Sequence, residues 1–151
     1  TPLLHASWYG QEAVVKLLLK TGNVNINAKN YSGDTPLICA SQYGHEAVVK
    51  LLLKTGKVDV NAKNYSNYGG VTPLIYASRF RQEAVVKLLL ETGKVNVNAK
   101  NYSGDTPLVC ASRFSHEAVV KLPLETGKVD VHAKDKNGGT PLMLPGCSIW
   151  V

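Results

Sequence analysis

Hydrophobic and polar positions follow two rhythms along this chain, and both return several times. In residues 46–54, EAVVKLLLK, the positions Val48, Val49, Leu51, Leu52 and Leu53 make a wide apolar face. Glu46, Lys50 and Lys54 fall at i, i+4 and i+8, one polar edge on which opposite charges meet. This pattern predicts a helix with more apolar surface than a lone helix pair could bury. A shorter helix is predicted just ahead of it. Thr35 offers a hydroxyl to the orphan amides of a helix start, and Pro36 stands where a missing N–H costs nothing. That helix, Pro36–Tyr43, ends at Gly44, which takes a left-handed backbone without penalty. Beyond Gly56, Val58 and Val60 alternate with Asp59 and Asn61, predicting an extended arm, and Tyr31-Ser32-Gly33-Asp34 predicts a tight turn.

The whole pattern is copied. TPL begins at residues 1, 35, 72, 106 and 140, and EAVVKL at 12, 46, 83 and 117, in step with it. Two unrelated strings repeating in register mean that a structural unit is repeated. The interval from 35 to 72 holds three extra residues, in NYSNYGGVTPL at 64–74. The chain therefore reads as one array over 1–151: a partial unit 1–29 without its hairpin, units 30–63, 64–100 and 101–134, and a truncated unit 135–151. Each unit is helix, turn, helix, arm and tight turn, and buries its apolar face only against its neighbours, which is the logic of a solenoid.

TPLxxA, the Gly-His pair between helices at Gly44-His45, and VNA before the next turn resemble the ankyrin repeat, from Thr1 to about Leu142. The near-identical units are also similar to the long ankyrin arrays of filamentous fungi. The resemblance implies an all-α solenoid of stacked helix-turn-helix units with hairpin-like connecting loops.

Several positions depart from the family. The repeat is 34 residues rather than the usual 33. The histidine of TPLH is replaced by Leu4, Ile38, Ile75, Val109 and Met143, so its bonds to the hairpin are expected to be missing. The inter-helix glycine survives as Gly10 and Gly44 but becomes Arg81 and Ser115, each costing ~1–2 kcal/mol if the backbone stays left-handed. Pro123 stands where other units have Leu18, Leu52 and Leu89, and predicts a kink or early stop at 119–123. The start at Thr1 and the apolar tail Pro145–Val151 suggest a piece of a longer array rather than a capped one, and leave open a signal peptide upstream.

Length and composition set limits on chemistry. A 44% hydrophobic content excludes a disordered chain, and runs such as Leu17–Leu19 are far short of a membrane span. No catalytic, cofactor-binding or metal-binding constellation is found. His45 and His116 occupy equivalent positions two units apart, as do Cys39 and Cys110, which rules out a disulfide between the latter and makes them buried thiols. Asn30, Asn64 and Asn101 head N-x-S triplets that arise by copying of the unit. The net charge of +6 raises nucleic acid as a partner, but the lysines recur with the unit beside acids such as Glu12, Glu46, Glu83 and Glu117. A solvated repeat edge explains them better than a phosphate track.

The resemblance implies a non-catalytic module that binds a partner protein through hairpin tips and the first-helix surface, and an intracellular setting that suits unpaired cysteines. Carried onto this chain, the first-helix ends are Trp8-Tyr9, Gln42-Tyr43, Arg79-Phe80 and Arg113-Phe114. The tips offer Tyr31 and Asp34, Tyr65 and Tyr68, and Tyr102 and Asp105. Tyr, Trp and Arg are enriched at binding hot spots. The same aromatics would equally suit packing between adjacent helices. Two other readings stay open: an accessory targeting array of a larger enzyme or signalling protein, and a decayed fragment with no specific partner, the latter marked by loss of cooperative unfolding. The partner is unknown, and the chain is read as monomeric or as part of a longer array.

Overall fold

A computed structural model describes residues 1–66 and 69–143; Tyr68 and the tail Pro145–Val151 lie outside the described residues. The described residues contain eight α-helices and no strand. Four short first helices, α1 (Pro2–Trp8), α3 (Pro36–Gln42), α5 (Pro73–Arg79) and α7 (Pro107–Arg113), alternate with four longer ones, α2 (Glu12–Lys20), α4 (Glu46–Lys54), α6 (Glu83–Glu91) and α8 (Glu117–Glu125). A single 3₁₀ turn, Pro141–Met143, packs on α7.

The threonine caps form as expected. Thr35 Oγ1 accepts from the Ile38 amide at 3.3 Å, and Thr1, Thr72 and Thr106 do the same in their units. At the other end of the unit a second threonine, Thr55, donates its hydroxyl to the Leu52 carbonyl at 2.7 Å, and Gly56 follows at φ 68°. α1 packs on α3, α3 on α5 and α5 on α7, while α2, α4, α6 and α8 stack behind them. Leu37, Ala40, Val49, Leu52 and their copies, such as Leu74, Ala77, Val86 and Leu89, form one continuous apolar spine through all units.

Three expectations are settled here. The arm is not extended: Asp59 Oδ1 accepts the Asn61 amide at 3.0 Å and folds residues 59–62 into a turn, because a short polar side chain competes with the backbone for its own amides. Pro123 does not end its helix, since α8 runs through Glu125 with the same nine residues as its copies. Pro123 is buried as Leu52 and Leu89 are, and only Leu124 and Glu125 follow it before Thr126, which donates its hydroxyl to the Pro123 carbonyl. The amide it lacks would have met the Val119 carbonyl, so one bond is lost across residues 119–123 while the helix continues past it. Arg81 and Ser115 keep the left-handed backbone of the glycines they replace, at φ 57° and 56°.

Candidate partner-binding surface

Each hairpin is organised by one buried or half-buried asparagine or, in the last, an aspartate. Asn30 Oδ1 accepts the amides of Ser32 and Asp34, both at 2.9 Å, and Asn101 repeats this with Ser103 and Asp105. Asp135 does so with Asn137 and Gly139. The asparagines that head the N-x-S triplets are thus structural, and Asn64 is fully buried. Successive tips are then joined through the backbone: the Tyr65 amide donates to Ser32 O at 2.7 Å, Tyr102 to Gly69 O at 2.8 Å and Lys136 to Ser103 O at 3.0 Å. The three-residue insertion keeps this register, with Gly69 taking the part that Ser32 and Ser103 play in their units.

The tip residues named from sequence divide into two groups. Tyr31, Tyr65 and Tyr102 are exposed, Tyr31 completely. Tyr65 and Tyr102 lie flat on the preceding tip, so close that a Cβ on Gly33 would come within 2.5 Å of the Tyr65 ring. Asp34 and Asp105, by contrast, are buried rather than displayed, at 7% and 6% exposure. Asp34 accepts from Asn64 Nδ2 at 2.8 Å, and Asp105 holds the Arg113 guanidinium in a two-pronged pair at 3.0 and 2.8 Å. Arg113 also reaches Asp135 at 3.2 Å, and its hydrogen bond to Asp105 raises its already high pKa. These contacts, with Asn64 Nδ2 to the Tyr76 hydroxyl at 3.0 Å, tie hairpins to first helices where the family histidine is absent.

The first-helix ends carry the other group. Trp8 and Tyr43, from neighbouring units, meet with ring centroids 4.9 Å apart, and Tyr43 stacks on His45. Phe80 stacks on Tyr76, Phe114 on His116, and the Arg79 guanidinium lies 5.8 and 6.0 Å from the Phe80 and Phe114 rings. All four of Tyr9, Tyr43, Phe80 and Phe114 are nevertheless more than 40% exposed. Gln42 is half-buried, its carbonyl 3.4 Å from Gln82 Nε2. The aromatics therefore both pack along the array and face outward.

Hairpins overhang the first helices and leave recesses between them. The larger, about 670 Å³, lies over α5 and α7 and is polar, with Arg79, Arg113, Asp105, Asp135 and Lys136 on its walls. The smaller, about 400 Å³, is formed by Leu4, His5, Trp8, Tyr9 and Tyr31 at the first unit. Sequence reasoning missed Lys136, which carries no mark of its own in the repeat pattern.

Among the described residues no three His, Cys, Asp or Glu side chains cluster as a metal site. Nε2 of His45 and of His116 sits on the carbonyl of Trp8 (2.9 Å) and Arg79 (3.1 Å) in the preceding units, an inter-unit tie rather than a proton relay. Burial pushes the thiols of Cys39 and Cys110 up to about 12, with the nearby Asp34 and Asp105 charges adding to it, so neither is a nucleophile at neutral pH. The lysines that lead into the hairpins are ties as well: Lys29, Lys63 and Lys100 donate to the carbonyls of Lys63, Lys100 and Lys134, one unit on. No described helix is long and apolar enough to cross a membrane.

Stacked helix pairs joined by overhanging hairpins define a solenoid of the helix-turn-helix repeat class. The family model for ankyrin repeats (3 copies) matches residues 3–101 and 61–135. The chain belongs to the ankyrin repeat family, whose repeats are generally non-catalytic protein-interaction modules. No curated protein matches the chain.

Proposed function

We propose that this array binds a partner protein on the inner surface formed by its hairpin tips and first helices, without catalysing a reaction, in an intracellular setting. Its working units divide at residues 30, 64, 101 and 135. The observation that carries this reading is the row of half-exposed aromatics Tyr9, Tyr43, Phe80 and Phe114, held at one position in successive units. Such rings supply large contact area at little cost in side-chain freedom. The wider site adds Trp8, Tyr31, Gln42, Tyr65, Tyr68, Arg79, Tyr102 and Arg113, with Asp34 and Asp105 acting from beneath.

The test is selection of ligands from an unbiased display library, followed by competition with Tyr31→Ala/Tyr43→Ala and with a back-face pair, Lys20→Ala/Lys54→Ala. Loss of binding confined to the tyrosine pair is the expected result. Ligands that compete through the second helices would overturn the reading.

A further inference from the structure

We infer that the ligand of this inner surface is an acidic protein segment carrying an aromatic or large aliphatic residue toward one end. This rests on the reading of the inner surface as the binding surface. The first observation is a separation of charge that net composition hides. The first helices, inter-helix turns and hairpins, taken with the lysine that leads into each hairpin (Lys29, Lys63, Lys100 and Lys134; residues 1–11, 29–45, 63–82, 100–116 and 134–143), carry eight of the seventeen Lys and Arg, but only three of the eleven Asp and Glu. The remainder of the chain, second helices and the arms up to those lysines, is nearly balanced, with nine cations and eight acids. Five of the six net positive charges therefore belong to the inner side.

The second observation is what happens to the three acids. Asp34 is turned into its hairpin, and the Asp105 and Asp135 side chains, 9% and 7% exposed, are bonded to Arg113. Among the described residues no carboxylate on this side faces solvent to repel an acidic ligand, while Arg81, Lys134 and Lys136 are exposed. A surface of one sign draws in the opposite charge and rejects its own.

The third observation is the gradient along the array. Cations gather over the polar recess of the third and fourth helix pairs, while the recess at the first pair is lined by Trp8, Tyr9, Tyr31, His5 and Leu4. A protein segment can match both ends, an apolar side chain in one recess and carboxylates over the other. A nucleic acid strand carries a phosphate every ~3.4 Å along its whole length and would lay charge over the uncharged half as well.

The test uses the whole chain and a fluorescein-labelled polyglutamate peptide with one Trp near one end, read by anisotropy, against the same peptide with Lys for Glu. The glutamate peptide is expected to bind, to weaken as NaCl rises, and to lose on the order of tenfold in affinity, about 1.4 kcal/mol, with Arg81→Glu/Lys136→Glu. Arg81→Gly removes a charge while relaxing a strained backbone, so it should bind the peptide less well yet unfold at higher temperature. Lys20→Glu/Lys54→Glu, on the second helices, should leave affinity unchanged. Equal binding of the lysine peptide, equal losses from both reversal pairs, or equally tight binding of oligo-dT would each overturn the inference. Neutral or basic ligands from the display selection would sink this inference while leaving the binding surface in place.

Discussion

The imidazole of His45 occupies the space a side chain on Gly10 would need: a Cβ built there comes 2.5 Å from Nδ1, while Nε2 sits 2.9 Å from the Trp8 carbonyl. Gly10 has φ 66°, so two independent reasons require glycine. Gly22 has a similar φ of 70° but nothing within 4 Å of its Cβ position. Gly22→Ala should therefore cost only the left-handed penalty of ~1–2 kcal/mol. Gly10→Ala should cost clearly more, because the His45 tie between the first two units breaks as well. Chemical denaturation of the two variants tests this, and equal losses would show that the ring simply moves aside.

At the corresponding turns of the later units the penalty is already present. Arg81 and Ser115 hold φ 57° and 56°. Replacing either with glycine should raise stability by ~1 kcal/mol, since relief of the left-handed strain exceeds the added unfolded-state entropy. Thermal melts of Arg81→Gly and Ser115→Gly should show a rise in midpoint, and the double variant should be additive because the two turns are a unit apart.

Most of the architecture is legible in the sequence because each helix pair announces both its ends. Thr-Pro opens the first helix, and Thr-Gly closes the second, in every complete unit. The losses are instructive. Asp34 and Asp105 look like displayed tip residues, since turn aspartates usually face water, yet a neighbouring unit supplies Asn64 to one and an arginine at the end of the following helix meets the other. Lys29 reads as a solvated cation, but its ammonium bridges to the Lys63 carbonyl and lies over the Tyr65 ring. The partners of Asp34 and Lys29 are about one repeat away, a separation at which pattern along the chain says nothing about contact. Pro123 misleads for the opposite reason: its local cost is real, but the neighbouring helices that hold α8 are not visible from the proline itself.

Four serines at one repeat position, Ser7, Ser41, Ser78 and Ser112, bury their hydroxyls without a hydrogen-bond partner. A buried unsatisfied polar group costs ~1–3 kcal/mol, and alanine at the same helical position would remove it while improving helix propensity. Ser41→Ala and Ser78→Ala should each stabilise the array, detected as a higher urea midpoint with unchanged slope. A fall in midpoint would mean that these hydroxyls have partners in solution.

The buried thiols give a pH dependence whose sign is fixed. Cys39 and Cys110 titrate at about 12 in the folded chain against 9.0 for an ordinary thiol. Between those values the unfolded chain has released a proton that the folded chain still holds, so folding loses stability as pH rises. The contribution is fully present below pH 9 and falls by about 1.4 kcal/mol per pH unit for each thiol. In a Cys147→Ser background, Cys39→Ala/Cys110→Ala should flatten the stability curve above pH 9. Iodoacetamide should likewise label Cys39 and Cys110 only at the rate of unfolding.

A ladder of side-chain amides holds the arms together, and it offers the sharpest test of how units couple. Asn61 Nδ2 donates to the Lys94 carbonyl at 3.0 Å while its Oδ1 accepts the Asn96 amide at 2.8 Å, so one side chain satisfies two backbone groups of the next unit. Asn27 makes the same pair of bonds to Lys57 and Asp59, and Asn98 to Lys128 and Asp130. Each bond contributes ~0.5–1.5 kcal/mol, so Asn61→Ala should cost ~1–3 kcal/mol. Asn61→Asp keeps the acceptor but sets a carboxylate against the Lys94 carbonyl, and should recover only part of the loss. Because stability in a solenoid is a sum over unit interfaces, breaking the middle rung should separate unfolding of the two halves, whereas Asn27→Ala should fray only the first unit. Hydrogen exchange resolved along the chain distinguishes these outcomes. Uniform loss of protection in both variants would show that the array unfolds as one body and that the ladder carries no special share of the coupling.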